Sequence, residues 1–281
     1  MTGMDDPGQL QQRTAPSAPG RDVIVTAPDF DLLSGQRLGR GRLFGALRGA
    51  GGEADSIAPH LPGALLLMGG DAVKARVRAE RSPRVLHIAT HGYALVPPDE
   101  DDPAMDAMAA QFLQEGQYSE TRFSQLRAHP GLRSGLALAG ANTWLCHDDP
   151  GVEAETGLLT TADIAGFDLG GTDLVVLSAC DTGLGAIGDP QGHASLRAAF
   201  LRSGARPAIG SLWKVPDDDT HMLLRRFYAA LAVGSGKAEA LRRARLAMQR
   251  AGADPASWGA FVCYGDPGPL RPLPARSQHD D

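Results

Sequence analysis

The sequence predicts an α/β protein built on a mostly parallel sheet covered on both faces. Short apolar runs recur along the chain: VIVTA, ALLLM, RVLHIAT, GLALAG, DLVVLSA and RPAIGSLW. Segments with helical patterning separate them. The runs are close to continuously apolar rather than alternating, as strands buried on both faces are. No repeat of fixed period is present.

Taken in order, residues 1–21 are rich in Gln, Pro, Ser, Gly and Ala without periodicity, and read as a flexible tail. From Asp22 the strands begin: VIVTA, a helical stretch through Leu61, ALLLM, and a helix around Ala72 to Arg81. The segment 97–130 breaks the alternation soon after a strand end, the place of a lid or insertion. After Trp213 a helix carries Leu223, Phe227, Ala230 and Leu231 at core-facing spacing. A second helix starts near Ser235 as N-cap and ends before Gly252, with Ala238, Leu241, Ala244, Met248 and Ala251 on one face. WGAFVCYGD supplies a last strand. The expected domain is 22–268, and 269–281 reads as a loose tail.

Composition narrows the function classes. The chain has 281 residues, and its 27 Lys and Arg against 33 Asp and Glu disfavour direct nucleic-acid binding. Arg242, Arg243, Arg245 and Arg250 read as a solvated helix face. No apolar run approaches the roughly 20 residues that span a bilayer, and MTGMDDPGQLQQ has no secretory pattern. The expectation is therefore a cytoplasmic protein without membrane partners. Cys146, Cys180 and Cys263 show no CxxC spacing, which excludes a disulfide framework and a Cys-rich zinc site and fits a reducing compartment. No cofactor or metal is expected.

Two strand ends carry chemistry. RVLHIATHGY ends its apolar run in Thr90-His91-Gly92, and DLVVLSACDTG ends in Ser178-Ala179-Cys180. Ligands of open parallel sheets bind beyond the C-terminal strand ends. A thiol there needs a neighbouring base to become a thiolate, and His91 can supply it. The Gly92 N–H, with that of Cys180, forms a candidate oxyanion hole. Cys146 and Cys263 read as packing residues. Asp217 to Asp219 follow a strand and lie at the same sheet edge, where a carboxylate can receive a basic side chain. Rival motifs fail in context. Gly183 to Gly188 matches GxGxxG but lacks the tight strand-to-helix junction and the acid about 20 residues on. His87 and His91 share the HExxH spacing but lack its Glu, and Gly236-Lys237 lacks the first Gly of a phosphate loop.

Together these pieces resemble the CHAT family of caspase-like cysteine peptidases, relatives of separase often coupled to tetratricopeptide repeats. The resemblance rests on LHIATHG, LRSGLALAGAN, GLLTTADIAGFDLGGTDLVVLSACDTGLG, ASLRAAFLRSGARPAIGSLWKVPDDDT, KAEALRRARLAM and WGAFVCYGDP. It implies a caspase-like three-layer α-β-α sandwich and a His91–Cys180 dyad. It also implies a pocket for a basic residue before the cut bond, with Asp217 as its acid and Asp219 second. The function expected is that of a cysteine endopeptidase acting on a protein substrate. Control would come from a regulatory partner of repeat or NTPase type, and by analogy the setting would be bacterial stress or defence. The competing expectation is a non-catalytic caspase-fold scaffold that binds a partner protein.

Overall fold

The computed structural model describes residues 17–32, 43–47, 49–95, 119–146, 157–178, 196–213 and 215–273. Along them run β1 (Val23–Pro28), α1 (Ala50–Ile57), β2 (Leu65–Gly69), α2 (Lys74–Ala79), β3 (Val85–Ala89) and β4 (Gly92–Ala94). Then come α3 (Glu120–Ala128), β5 (Ser134–Ala137), α4 (Ala141–Cys146), β6 (Leu158–Thr160), α5 (Thr161–Ala165) and β7 (Leu174–Ser178). The last are α6 (Leu196–Arg202), β8 (Pro207–Ser211), α7 (Asp217–Ala232), α8 (Lys237–Arg250), α9 (Pro255–Trp258) and β9 (Phe261–Gly265).

The central sheet has the order β2-β1-β3-β7-β8-β9. Every pairing is parallel except β8 with β9, which is antiparallel. Successive side chains of a strand point to opposite faces, so each apolar run feeds two cores. Val23, Val25, Leu86, Ile88, Val175 and Leu177 pack on one face against Val77, Ile164 and Phe200 from α2, α5 and α6. Ile24, Val85, Leu174, Val176 and Ile209 pack on the other against Ile57, Phe227 and Leu241 from α1, α7 and α8. The result is the expected α-β-α sandwich around a mostly parallel sheet.

Three details differ from the sequence reading. GLALAG does not join the central sheet; its first residues form β5, the middle strand of a small antiparallel sheet β4-β5-β6. Phe123, Leu126, Leu145 and Leu158 give that sheet its own core. The buried face of α8 is Lys237, Ala240, Leu241, Ala244 and Met248, while Ala238 and Ala251 are exposed. The Lys237 ammonium accounts for the shift, because it reaches Asp266 at 3.5 Å and the Pro269 carbonyl at 3.4 Å. The cap of α8 is Gly236, not Ser235, whose hydroxyl instead receives an Arg243 N–H. A Cβ on residue 236 would come within 2.7 Å of the Pro267 carbonyl.

Of the segment 97–130, residues 97–118 lie outside the described residues, and α3 occupies most of the remainder. Residues 269–273 lie against the body, with Arg271 Nε donating to Asp173 Oδ1 at 2.6 Å. Among the described residues no helix is long and apolar enough to cross a membrane.

Candidate active site

A cavity of about 510 Å³ opens at the C-terminal ends of β3, β7 and β8. Ala89, Ser178 and Ser211, the last residues of those strands, line it. Thr90, His91 and Gly92 form one wall, while Glu53 of α1 and Asp217, Thr220 and His221 of α7 form the other.

His91 is half-buried and held on three sides. Its ring centroid lies 5.3 Å from that of Phe30 and stacks 5.9 Å from that of Phe44. Its Nε2 lies 2.8 Å from the Gly45 carbonyl oxygen. A carbonyl only accepts, so Nε2 carries the hydrogen, and in the neutral imidazole Nδ1 keeps the lone pair. That is the arrangement of a general base whose second nitrogen is fixed by an orienting acceptor.

Gly92 faces Leu136 across the β4–β5 pair. Ladder bonds run on either side of it, from Ala137 N–H to the His91 carbonyl and from Leu95 N–H to the Arg133 carbonyl. Antiparallel pairs alternate between bonded and non-bonded positions, so Gly92 occupies a non-bonded one. Its N–H is directed away from β5, and Gly92 lines the cavity wall.

The cavity is also acidic. Asp217 is the first residue of α7, exposed, with its Cβ so near Gly49 that a side chain on residue 49 would meet it at 2.9 Å. Glu53 is 3% exposed. Its Oε2 accepts the Ser178 hydroxyl at 2.8 Å and lies 3.7 Å from His221 Nε2, and its Oε1 lies 2.8 Å from His87 Nε2. The last contact is close but bent, since neither atom has an aligned hydrogen bond. Burial raises the Tyr228 phenol well above its ordinary value, aided by the Glu53 and Asp22 charges, so its hydroxyl stays protonated 3.0 Å from His87 Nδ1. A buried carboxyl group is costly unless polar groups compensate it, and here the Ser178 hydroxyl donates to it while His87 and His221 lie beside its two oxygens. Among the described residues no Lys or Arg pairs with Glu53 or Asp217.

The sequence-predicted residues therefore divide. His91, Gly92 and Asp217 share the cavity. Asp219 does not line it, and its Oδ2 accepts the Ser257 hydroxyl at 2.5 Å. Cys180 and the Gly183 to Gly188 loop lie outside the described residues. His87, set aside as a zinc ligand, lies in the sheet's centre beside Glu53, and no group of three candidate metal ligands gathers among the described residues. Glu53, Phe30, Phe44 and the Gly45 carbonyl escaped sequence reasoning. Only Glu53 left a trace there, as the one acid on the apolar face Ala50, Ala54 and Ile57.

The two other cysteines sit apart from this cavity. Burial, reinforced by the Asp31 charge, pushes the half-buried Cys146 thiol up to about 11. Burial also raises the Cys263 thiol. Both stay protonated at neutral pH and are poor nucleophiles.

The chain is 28% identical over 226 residues to tetratricopeptide repeat protein 28 of Homo sapiens, covering 79% of this chain and 9% of that protein. It is 33% identical over 110 residues to the Mus musculus protein of the same name, covering 38% of this chain and 4% of that one. The chain thus spans less than a tenth of the length of these relatives. A solved structure described as "Structure of Protease" aligns with a TM-score of 0.34 at 14% identity, covering 89% of this chain and 64% of that one. A sequence model described as CHAT domain matches residues 6–266, most of the chain. The chain belongs to the CHAT domain family, a family of caspase-like peptidase fold.

Proposed function

We propose that the protein is a cysteine endopeptidase in which His91 and Cys180 form the catalytic dyad. The observation that carries this reading is the His91 imidazole, with Nε2–H on the Gly45 carbonyl and its ring facing the cavity. The strand register supports it. Ala89 pairs with Ser178, and His91 and Cys180 each follow that pair by two positions.

In the proposed reaction His91 Nδ1 takes the Cys180 thiol proton, and the thiolate adds to the substrate carbonyl. The C–N bond then breaks, with the proton passing to the leaving amine, and water hydrolyses the thioester. Gly92 N–H, unengaged by β5, is placed to stabilise the oxyanion together with the Cys180 N–H. Asp217, at the cavity edge without a Lys or Arg partner among the described residues, is the carboxylate proposed to receive a basic residue before the cut bond. Asp219, tied to Ser257, is assigned no such role. The proposed regulator is a helical repeat protein, a class suggested by the name of the relatives.

The test is labelling with a peptidyl electrophile ending in Arg, followed by mapping of the adduct. Cys180 should be modified selectively, since Cys146 and Cys263 are held as thiols. If Cys180 stays unmodified even with candidate partners present, the scaffold reading replaces the peptidase one. Asp217→Ala should abolish the preference for Arg or Lys, a loss of about 1.5–3 kcal/mol for one charge-assisted hydrogen bond, while iodoacetamide still alkylates Cys180. An unchanged preference in competition labelling would take Asp217 out of the pocket.

A further inference from the structure

Asn142 of α4 is fully buried, and its backbone N–H and both polar atoms of its side-chain amide are spent on the segments that enclose His91. Its backbone N–H donates to the Phe30 carbonyl at 2.9 Å. Its side-chain Oδ1 accepts the Phe44 N–H at 3.1 Å, and its Nδ2 donates to the Phe44 carbonyl at 2.9 Å. The same Nδ2 donates to Asp31 Oδ1 at 2.9 Å. A primary amide has one acceptor and two donor hydrogens in a plane, so it can pair with one residue's backbone as a neighbouring strand would. Phe30 and Phe44 are the two rings against His91, and the residue after Phe44 presents the carbonyl that holds His91 Nε2.

We propose that Asn142 is the positioning residue for His91: it clamps the Phe30 and Phe44 backbones and thereby sets both the ring slot and the Gly45 acceptor. The segment 43–47 has no regular secondary structure, so its placement depends on such a clamp rather than on a ladder. The geometric part of the proposal stands on these contacts alone. Its catalytic consequence rests on the reading of His91 and Cys180 above.

The test uses the full chain with Asn142→Ala, His91→Ala and the double variant. The first readout is inactivation by the Arg-terminated peptidyl electrophile. Asn142→Ala should lower the maximal inactivation rate about tenfold to a hundredfold by misplacing the base, leaving the half-saturating concentration unchanged within about twofold. In the His91→Ala background the same change should have no further effect, because Asn142 acts through His91. The second readout needs no activity: nuclear Overhauser contacts from the His91 ring to Phe30 and Phe44 should vanish in Asn142→Ala while His60 and His129 signals stay in place. Asn142→Asp keeps the shape and the acceptor but loses both donated side-chain bonds, so it should move both readouts the same way; it serves if the Ala variant does not fold. Persisting His91–Phe44 contacts, or a full-sized rate effect without His91, would overturn the proposal. If the wild-type protein resists the electrophile, the peptidase reading falls and the ring contacts alone decide the Asn142 proposal.

Discussion

His91→Ala is expected to slow acylation of Cys180 by the peptidyl electrophile about 10³-fold, the scale of a lost general base, or roughly 4 kcal/mol in the barrier. The reasoning is geometric. Nε2 is committed to the Gly45 carbonyl, so the ring presents one basic nitrogen, Nδ1, to the cavity. Removing the ring takes that base away and leaves the Phe30 and Phe44 slot empty, but it touches no backbone bond of β3 or β7. The folded structure should therefore survive, and unchanged circular dichroism would show it. Phe44→Ala should give a smaller loss, because Phe30 and Gly45 still restrain the ring. The measurement is the second-order inactivation rate of each variant at saturating partner, if one is needed. A wild-type rate in His91→Ala would remove His91 from the mechanism.

The legible parts of this protein are those in which one strand or helix states its own role. β3 and β7 read correctly because both of their faces are buried, so Val85 to Ala89 and Leu174 to Leu177 are apolar throughout, except for His87. His91 and Gly92 stand out in the sequence because chemistry beyond a parallel strand's C-terminal end is a positional rule, and both line the cavity. β5 was misplaced since its residues fit either sheet; what decides is its partner. Gly135 shows this, because a Cβ there would lie 2.5 Å from the Leu159 carbonyl and 2.8 Å from the Tyr93 hydroxyl. The rest of the site was invisible for a related reason. A backbone carbonyl such as that of Gly45 has no signature in sequence. Glu53 meets Ser178 across 125 positions, and Asn142 meets Phe44 across 98, so neither pairing has a local pattern to betray it.

Phe227→Ala should produce the largest loss of stability among single core changes in α7, about 3–5 kcal/mol. Phe227 has no exposed surface and packs at the centre of the core between the sheet and the α7–α8 layer. Its ring stands edge-on to Tyr228 with centroids 5.2 Å apart, so collapse into the space it leaves is opposed by a side chain that the His87 hydrogen bond already fixes. A cavity that cannot relax lies at the upper end of that range. Val233, just past the same helix and 78% exposed, is the contrast: Val233→Ala should change stability by less than about 0.5 kcal/mol. Urea unfolding decides between burial and helix propensity as the cause. Ala is the better helix former, so a propensity effect would make Phe227→Ala neutral or stabilising, whereas the packing argument requires the Phe227 midpoint to fall at unchanged slope while that of Val233→Ala stays in place. The consequence reaches the cleft, because the helix that Phe227 anchors begins at Asp217. A variant loosened in this core should therefore lose its preference for basic residues before it loses the reactivity of Cys180, because β7, which ends two positions before Cys180 in sequence, is held on both sides by β3 and β8.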